Sequence, residues 1–296
     1  VSVSVSVTEG GLDDPQVQNQ FIDWVDRRIA LGKAEVERCQ KNKELLAQAQ
    51  TCLDKAQKDK IDFTEVYGQK LLEKFRYFAS KDMIELIPTA ATYAFLPQYA
   101  DLTEVLNAQV ETGLYAHRHF FGDAGEGFWL PYMGWAKGLD KVLRSYGVNY
   151  TILENHGLLF AENPPETGIF APVRSNNSLA LFGRDYDSSE EAAEPERFCK
   201  NGVYRMQQRD IGFDLEKEAL APFAGKSKVR VQTGYKYYAN GDGDEEDEIA
   251  AGDAPLYDRH AALEQVKNDA LEFYTAKAEK LAKASELLPG TDVSVV

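Results

Sequence analysis

The sequence predicts an α/β protein organised as a parallel sheet or barrel, and three observations carry that expectation. Short apolar runs of strand length alternate with amphipathic helices between residues 83 and 153. Long helical stretches precede and follow that alternation, as insertions would. Residues 1–7 alternate Val and Ser, which is the period-two pattern of a strand with one apolar and one small polar face. In a barrel, those valines would face the helices and the serines the lumen.

Taken in order, Asp13-Asp14-Pro15 reads as an N-cap followed by proline in the first helical turn. Val17, Phe21, Val25 and Ile29 recur at helical spacing and predict one long helix to about Gln57. A second helix is expected over residues 63–79, through Val66, Leu71, Leu72, Phe75 and Phe78, so residues 15–80 form a helical insertion after the first strand. Residues 83–87 are an apolar run of strand length, and Asp101 with Glu104 forms a capping box opening a helix that carries Leu102, Val105, Leu106, Val110 and Leu114. Residues 128–130 return as a strand. Leu139, Val142, Leu143 and Tyr146 share one helical face, Gly147 is the C-cap, and residues 148–153 are the next strand.

Beyond Gly168 the texture changes. Residues 169–173, 179–182 and 229–238 are strand-like, and the polar stretch 185–197 is a long loop of the kind that borders barrel sites. Residues 168–253 are accordingly expected to form a lid or insert, residues 254–288 a final helix, and residues 292–296 the start of one more strand. The expected organisation is a single barrel-like domain over residues 1–296. In such a fold, functional side chains gather at the C-terminal ends of the strands.

Composition narrows the chemistry. Thirty-three Lys and Arg against 48 Asp and Glu give a formal charge of -15, a field that repels phosphate backbones and anionic lipid and favours neutral ligands or cations. Nucleic acid and membrane partners are therefore not expected. Fifteen Tyr and 15 Phe supply faces suited to the apolar sides of sugar rings, although core packing claims most aromatic side chains. Cys39, Cys52 and Cys199 are an odd number without metal-type spacing, which points to a reducing compartment, and the amino-terminal residues lack the pattern of a secretion signal. A cytoplasmic location is expected. No metal or other cofactor is: His117 and His119 are two apart on a predicted helix and do not face each other. The acidic run beginning at Asp242 has Asp247 where a calcium loop needs glycine and Asp253 where it needs a bidentate glutamate, so it reads as a solvated turn.

The most informative segment is Phe128-Trp129-Leu130-Pro131-Tyr132-Met133-Gly134-Trp135. It resembles the Trp-Leu-Pro-Glu-Cys-Gly-aromatic signature of the family 57 glycoside hydrolases, most closely their α-glucan branching enzymes, in which the glutamate is the nucleophile. Here Tyr132 stands in that slot. Further segments resemble the same family in the same order. Ile84-Glu85-Leu86-Ile87, with Ala91-Thr92-Tyr93-Ala94-Phe95-Leu96-Pro97, is similar to the family's Leu-Glu-Ile-Ile strand and Ala-Thr-His-Gly-aromatic-Leu-Pro loop, Tyr93 replacing the histidine. Asn155-His156-Gly157 follows a strand as the family's Thr-His-Gly does. Gly168-Ile169-Phe170-Ala171-Pro172-Val173-Arg174-Ser175, Phe182-Gly183-Arg184-Asp185, and Tyr204-Arg205 with Arg209-Asp210-Ile211-Gly212-Phe213-Asp214 complete the run.

The resemblance implies an incomplete (β/α) barrel of the family 57 type with long helical insertions. The activity it implies is α-1,4-glucan branching, the cutting of an α-1,4 chain and its re-attachment through a 6-hydroxyl, with glycogen, starch or maltooligosaccharide as partner. On the family pattern, Glu85, Tyr93, Trp129, Trp135 and His156 are the expected substrate-binding residues and Tyr132 holds the catalytic slot. Each also has a plainer reading. The tryptophans are stacking platforms or core, and His156 is a site residue or bonded to backbone. Glu85 on an apolar strand needs a basic partner or a site role. Tyr132 is read as an aromatic filling the former sugar subsite, because a phenol nucleophile needs a neighbouring base to lower a pKa near 10.

Departures from the pattern are expected to leave the chain weak or inactive, as a pseudoenzyme. None of His117, His119, His156 or His260 is followed two residues later by proline, as the family's opening His-x-Pro strand requires. Residues 188–201 lack the family's tryptophan. The second catalytic carboxylate, an Asp, lies in the family just beyond a strand like residues 292–296, where this sequence stops. The alternatives are a non-catalytic α-glucan-binding module, or a fragment without a function of its own. The oligomeric state is left open.

Overall fold

A computed structural model describes residues 10–122, 125–188, 198–224, 230–241 and 254–296. The larger elements are helices α1 (Pro15–Arg38), α2 (Lys43–Ile61), α3 (Leu71–Ala79) and α4 (Thr103–Phe121), strand β1 (Gly127–Phe128), helix α5 (Leu139–Ser145), strand β2 (Tyr150–Leu153), helix α6 (Asn155–Leu159), strands β3 (Val173–Arg174) and β4 (Ala180–Gly183), and helix α7 (Arg259–Leu287). The sheet order is β1-β2-β4-β3, with β1, β2 and β4 parallel and β3 antiparallel to β4. The mixed α/β architecture and parallel sheet fit the expected incomplete barrel. Among the described residues, no helix is long and apolar enough to cross a membrane.

The chain divides into two compact units, residues 1–17, 70–189 and 275–296 in the first and residues 18–69 and 190–274 in the second. In the first, α4 sends Leu106, Val110 and Leu114 and α5 sends Leu139 and Leu143 into one core with Phe128, Leu130, Leu153, Leu179 and Leu181. Spacings of three and four residues put each helix's leucines on one face, and burying each such side chain stabilises by about 1.5–3 kcal/mol. Thr151, buried among them, satisfies its hydroxyl by donating to the Phe128 carbonyl at 2.7 Å.

Several segments of this unit differ from expectation. Residues 83–87 form no strand. Pairing there is reduced to isolated bridge positions at Ile87 and Thr89, the latter parallel to Trp129, whose N–H donates to the Pro88 carbonyl at 2.8 Å. Proline interrupts the ladder there because it has no N–H to give. The capping box also fails to form: Leu102, not Asp101, is the N-cap residue, and its hydrocarbon side chain has no oxygen with which to accept an N–H, while its own N–H donates to the Tyr99 carbonyl at 2.8 Å. Pro172 likewise confines the strand expected over residues 169–173 to its last position and Arg174. Residues 292–296 are extended without being a strand, although Ser294 N–H donates to the Phe170 carbonyl and Asp185 N–H to the Val296 carbonyl. The alternating residues 1–7 and the acidic run 242–253 lie outside the described residues.

In the second unit the predicted single helix breaks after Arg38. Asn42 starts α2 by accepting the N–H bonds of Glu44 and Leu45 at 3.1 and 3.2 Å. The second predicted helix also divides: a π-helical turn, Asp62–Val66, precedes left-handed Gly68 and Gln69 before α3 begins. Over the described residues 230–238 the expected strand is reduced to one antiparallel bridge, Tyr238 to Leu256. The Asp210 carboxylate takes the N–H groups of Gly212, Thr233 and Gly234 and the Thr233 hydroxyl, at 2.7–2.9 Å, so those donors are not available to a ladder. The Arg209-to-Asp214 motif is thus a structural knot, and Tyr235 and Tyr237 beside it are buried against α1 and α2 residues such as Leu31 and Cys52.

Gly113 is where α4 approaches the Thr89 segment most closely: a Cβ there would stand 2.2 Å from the Thr89 carbonyl oxygen. Overpacking against rigid backbone costs about 1–3 kcal/mol, against a helix-propensity gain near 1. Gly113→Ala is therefore expected to destabilise by about 1–2 kcal/mol, read as a lower urea midpoint at constant slope. Gly157→Ala, whose new atom meets only Leu153 at 3.9 Å, leaves the midpoint unchanged or raises it.

Candidate active site

The bridge between Thr89 and Trp129 sets two loops side by side beyond the same end of the sheet. Four residues past Thr89 comes Tyr93, and three past Trp129 comes Tyr132. Both tyrosines adopt left-handed backbone, φ 54° and 56°, and Met133 follows at 50°. Such conformations in residues with a Cβ cost about 1–3 kcal/mol each and persist where surrounding contacts over-determine them. Those contacts are visible. The Thr89 hydroxyl donates to the Trp129 carbonyl at 2.7 Å, the Trp129 indole N–H donates to the Tyr93 phenol oxygen at 3.2 Å, and Pro131 is buried.

The rings meet edge to face. Tyr93 and Tyr132 centroids lie 5.4 Å apart at 67°, and Phe95 and Tyr132 lie 6.3 Å apart at 66°. Tyr132 nevertheless remains 66% exposed. Structure thus brings Tyr93, Trp129 and Tyr132 together. Trp135 is half-buried and leans on the core of α4 and α5, and His156 is exposed on α6, its carbonyl accepting from Phe160 N–H at 3.0 Å.

Glu85 lies at the other end. It precedes the bridged Thr89, and it accepts the Tyr150 hydroxyl at 2.7 Å, where Tyr150 is the first residue of β2 and pairs with Gly127, the first of β1. Burial, and then the Glu85 carboxylate, push the Tyr150 phenol above its ordinary value. Gly127 and the Tyr150 ring require each other, since a Cβ on Gly127 would fall 2.4 Å from that ring. Tyr150 is thus one partner of Glu85.

Two charged groups that sequence reasoning did not single out follow the C-terminal ends of neighbouring strands. Glu154, directly after β2, pairs with Arg184, directly after β4, through bonds of 2.9 and 3.0 Å. Asp185 is 2% exposed and holds Lys280 of α7 at 2.5 Å and Lys277 at 3.7 Å, with the Ser188 hydroxyl on its other oxygen. Their signal was position: each is the first or second residue past an apolar strand run. Burial alone would raise the Asp185 carboxyl, but Lys280, Ser188 and Lys277 outweigh it and hold it below the ordinary value. Among the described residues, no group of three or more His, Cys, Asp and Glu is arranged to hold a metal ion, and His117 packs its ring on Phe121 at 4.9 Å.

A parallel α/β sheet whose aromatic, acidic and basic side chains collect past the carboxyl ends of its strands is the arrangement of a (β/α)-barrel fold. The chain belongs to glycosyl hydrolase family 57, whose family model matches residues 7–237. Over its whole length it resembles the structure of the alpha-amylase AmyC from Thermotoga maritima, with a TM-score of 0.91, 27% identity and 56% of that chain covered. It shares the fold of the branching enzyme from Pyrococcus horikoshii, with a TM-score of 0.74 at 20% identity over 94% of this chain and 49% of that one. In sequence it is 20% identical over 304 residues to the 1,4-alpha-glucan branching enzyme of Thermococcus kodakarensis, covering 93% of this chain and 40% of that enzyme. The chain thus spans about half the length of these relatives or less, and branching enzymes are among them, in line with the branch its motifs resemble.

The Asp185 cluster generates a pH prediction. A carboxyl whose native pKa is depressed adds stability above its unfolded value, near 3.9, and that stability is lost as pH falls through the lower native value. Asp185→Asn is expected to cost about 2 kcal/mol at pH 7, below the 3–5 of a fully buried pair because Lys280 is partly exposed and keeps Asp187. The loss shrinks towards zero as pH falls below the native value, as denaturant midpoints measured from pH 7 to 2 would register.

Proposed function

We propose that this chain is an α-glucan-handling member of family 57, related to the branching enzymes, in which the covalent route of retaining transfer is impaired or lost. The observation that carries this reading is Tyr132 in the slot of the family nucleophile, four residues past the end of β1 and exposed. Retaining chemistry needs a carboxylate that attacks the anomeric carbon and a second carboxyl about 5–5.5 Å away as acid and base. A phenol serves only with a base beside it, and the rings that pack on Tyr132 are those of Tyr93 and Phe95, neither of them a carboxylate or an imidazole. The charge of -15 favours a neutral polysaccharide over anionic ligands. Cytoplasmic glycogen metabolism is the setting proposed, and the buried thiols Cys39 and Cys52 support a reducing one.

A second reading, glucan binding without chemistry, is favoured by the same exposed ring on left-handed backbone.

The test is incubation of the purified 296-residue chain with amylose, followed by NMR quantification of α-1,6 linkages. No branching above a protein-free control is expected, and Tyr132→Phe is expected to behave identically. Branching by the unaltered chain that Tyr132→Phe abolishes would overturn the proposal and make the phenol a nucleophile.

A further inference from the structure

We propose that Asn201 is a site of spontaneous deamidation in the folded chain, that the neighbouring pair Asn240-Gly241 is protected by its bonds to Asn201-Gly202, and that conversion at Asn201 releases that protection. The inference stands independently of the glucan reading. Asparagine followed by glycine is the pairing most open to this chemistry, because glycine has no Cβ to crowd the approach of its nitrogen to the asparagine side chain. The sequence contains two such pairs, at residues 201–202 and 240–241, and the fold of the second unit sets them against each other.

The only co-reactant is water. The Gly202 nitrogen attacks Asn201 Cγ and gives up its proton to solvent, the Cγ–Nδ2 bond breaks, and Nδ2 takes a proton and leaves as ammonia. Water then opens the cyclic succinimide. Addition at Cγ gives aspartate, and addition at the main-chain carbonyl gives isoaspartate, whose backbone is longer by a methylene.

Three features separate the two sites. First, the nucleophile of the second pair is engaged: Gly241 N–H donates to the Gly202 carbonyl at 2.9 Å, and it cannot turn to the side chain until that bond opens. Second, its leaving group is held as well. Asn240 Nδ2 donates to the carbonyls of Cys199 and Asn201, both at 3.1 Å, and the Asn240 main-chain N–H donates to the Tyr204 carbonyl at 2.8 Å. The adjoining residues continue as an antiparallel bridge from Ala239 to Arg205.

Third, Asn201 is used as an acceptor. Its Oδ1 accepts the Val203 N–H at 3.2 Å, a turn that folds the carboxamide back over the peptide joining Asn201 to Gly202. Negative charge collects on Oδ1 as Cγ is attacked, so a donor already aimed at that oxygen favours the reaction. The carbonyls of Asn201 and Gly202 are also the groups from which Asn240 and Gly241 hang. Isoaspartate at position 201 lengthens the chain between them, which undoes the register of those bonds and leaves the second pair open to the same attack.

The experiment incubates the full chain at mildly alkaline pH, native and in urea, and follows both sites by tryptic peptide mapping, in which residues 201–205 and 237–259 fall in separate peptides. In urea the two pairs are expected to convert at similar rates. In the native chain the initial rate at Asn201 is expected to exceed that at Asn240 by at least about tenfold, since several bonds must open first at Asn240. Conversion at Asn240 then follows with a lag. Asn201→Gln, whose longer side chain would have to close a larger and slower ring, is expected to melt with the unaltered chain, to stay unmodified at position 201, and to keep Asn240 slow throughout. Asn240 converting from the outset as fast as Asn201 in the native chain, or Asn201 converting in urea but not when native, overturns the site. Late conversion of Asn240 that persists undiminished in Asn201→Gln overturns the release.

Discussion

Thr89 is the residue on which the first unit turns. Fully buried, it donates its hydroxyl to the Trp129 carbonyl, bridges Trp129 in parallel, and receives α4 at Gly113 with no room for a Cβ. These contacts join two sequence-distant loops to one helix. Any side chain at residue 113 pushes α4 from the loop that carries Tyr93, and any loss of the bridge separates that loop from the one carrying Tyr132. The geometry of the candidate site is therefore a consequence of packing several residues away from it, because close-packed interiors transmit displacement.

The same bridge explains why the aromatic cluster tolerates left-handed backbone. A tyrosine at φ near 55° is unfavourable in isolation, and two of them with Met133 would relax if their loops moved independently. Tied through Thr89, and through the indole bond to the Tyr93 phenol, they do not. Backbone strain of this kind is a feature of functional loops.

Much of this was legible in the sequence, and the failures share a cause. The strand at residues 150–153, the helices carrying Leu106 to Leu114 and Leu139 to Leu143, and the final helix to Leu287 follow from periodicity, because burial of one face decides them. Asp14 caps the first helix as its position before proline suggests, accepting Gln16 N–H at 2.7 Å. What periodicity could not see was competition for backbone donors: Pro88 and Pro172 withheld one each, and Asp210 captured three between Gly212 and Gly234. The long-range partners of Glu85 and Asp185 were equally hidden, since Tyr150 and Lys280 lie 65 and 95 residues away. A motif names a residue; only the register of the sheet says at which end of a strand it stands.

That register decides what Tyr132 can do. Glu85 is the acidic residue of the motifs nearest to it in sequence, yet Glu85 bonds to the residue opening β2, while Tyr132 follows the end of β1. The carboxylates past the strand ends that the register does bring forward, Glu154 and Asp185, are engaged with Arg184 and with Lys277 and Lys280. The Asp185 carboxyl is held below its ordinary value, since Lys280, Ser188 and Lys277 outweigh its burial, while the Tyr132 ring stands exposed beside Tyr93 and Phe95.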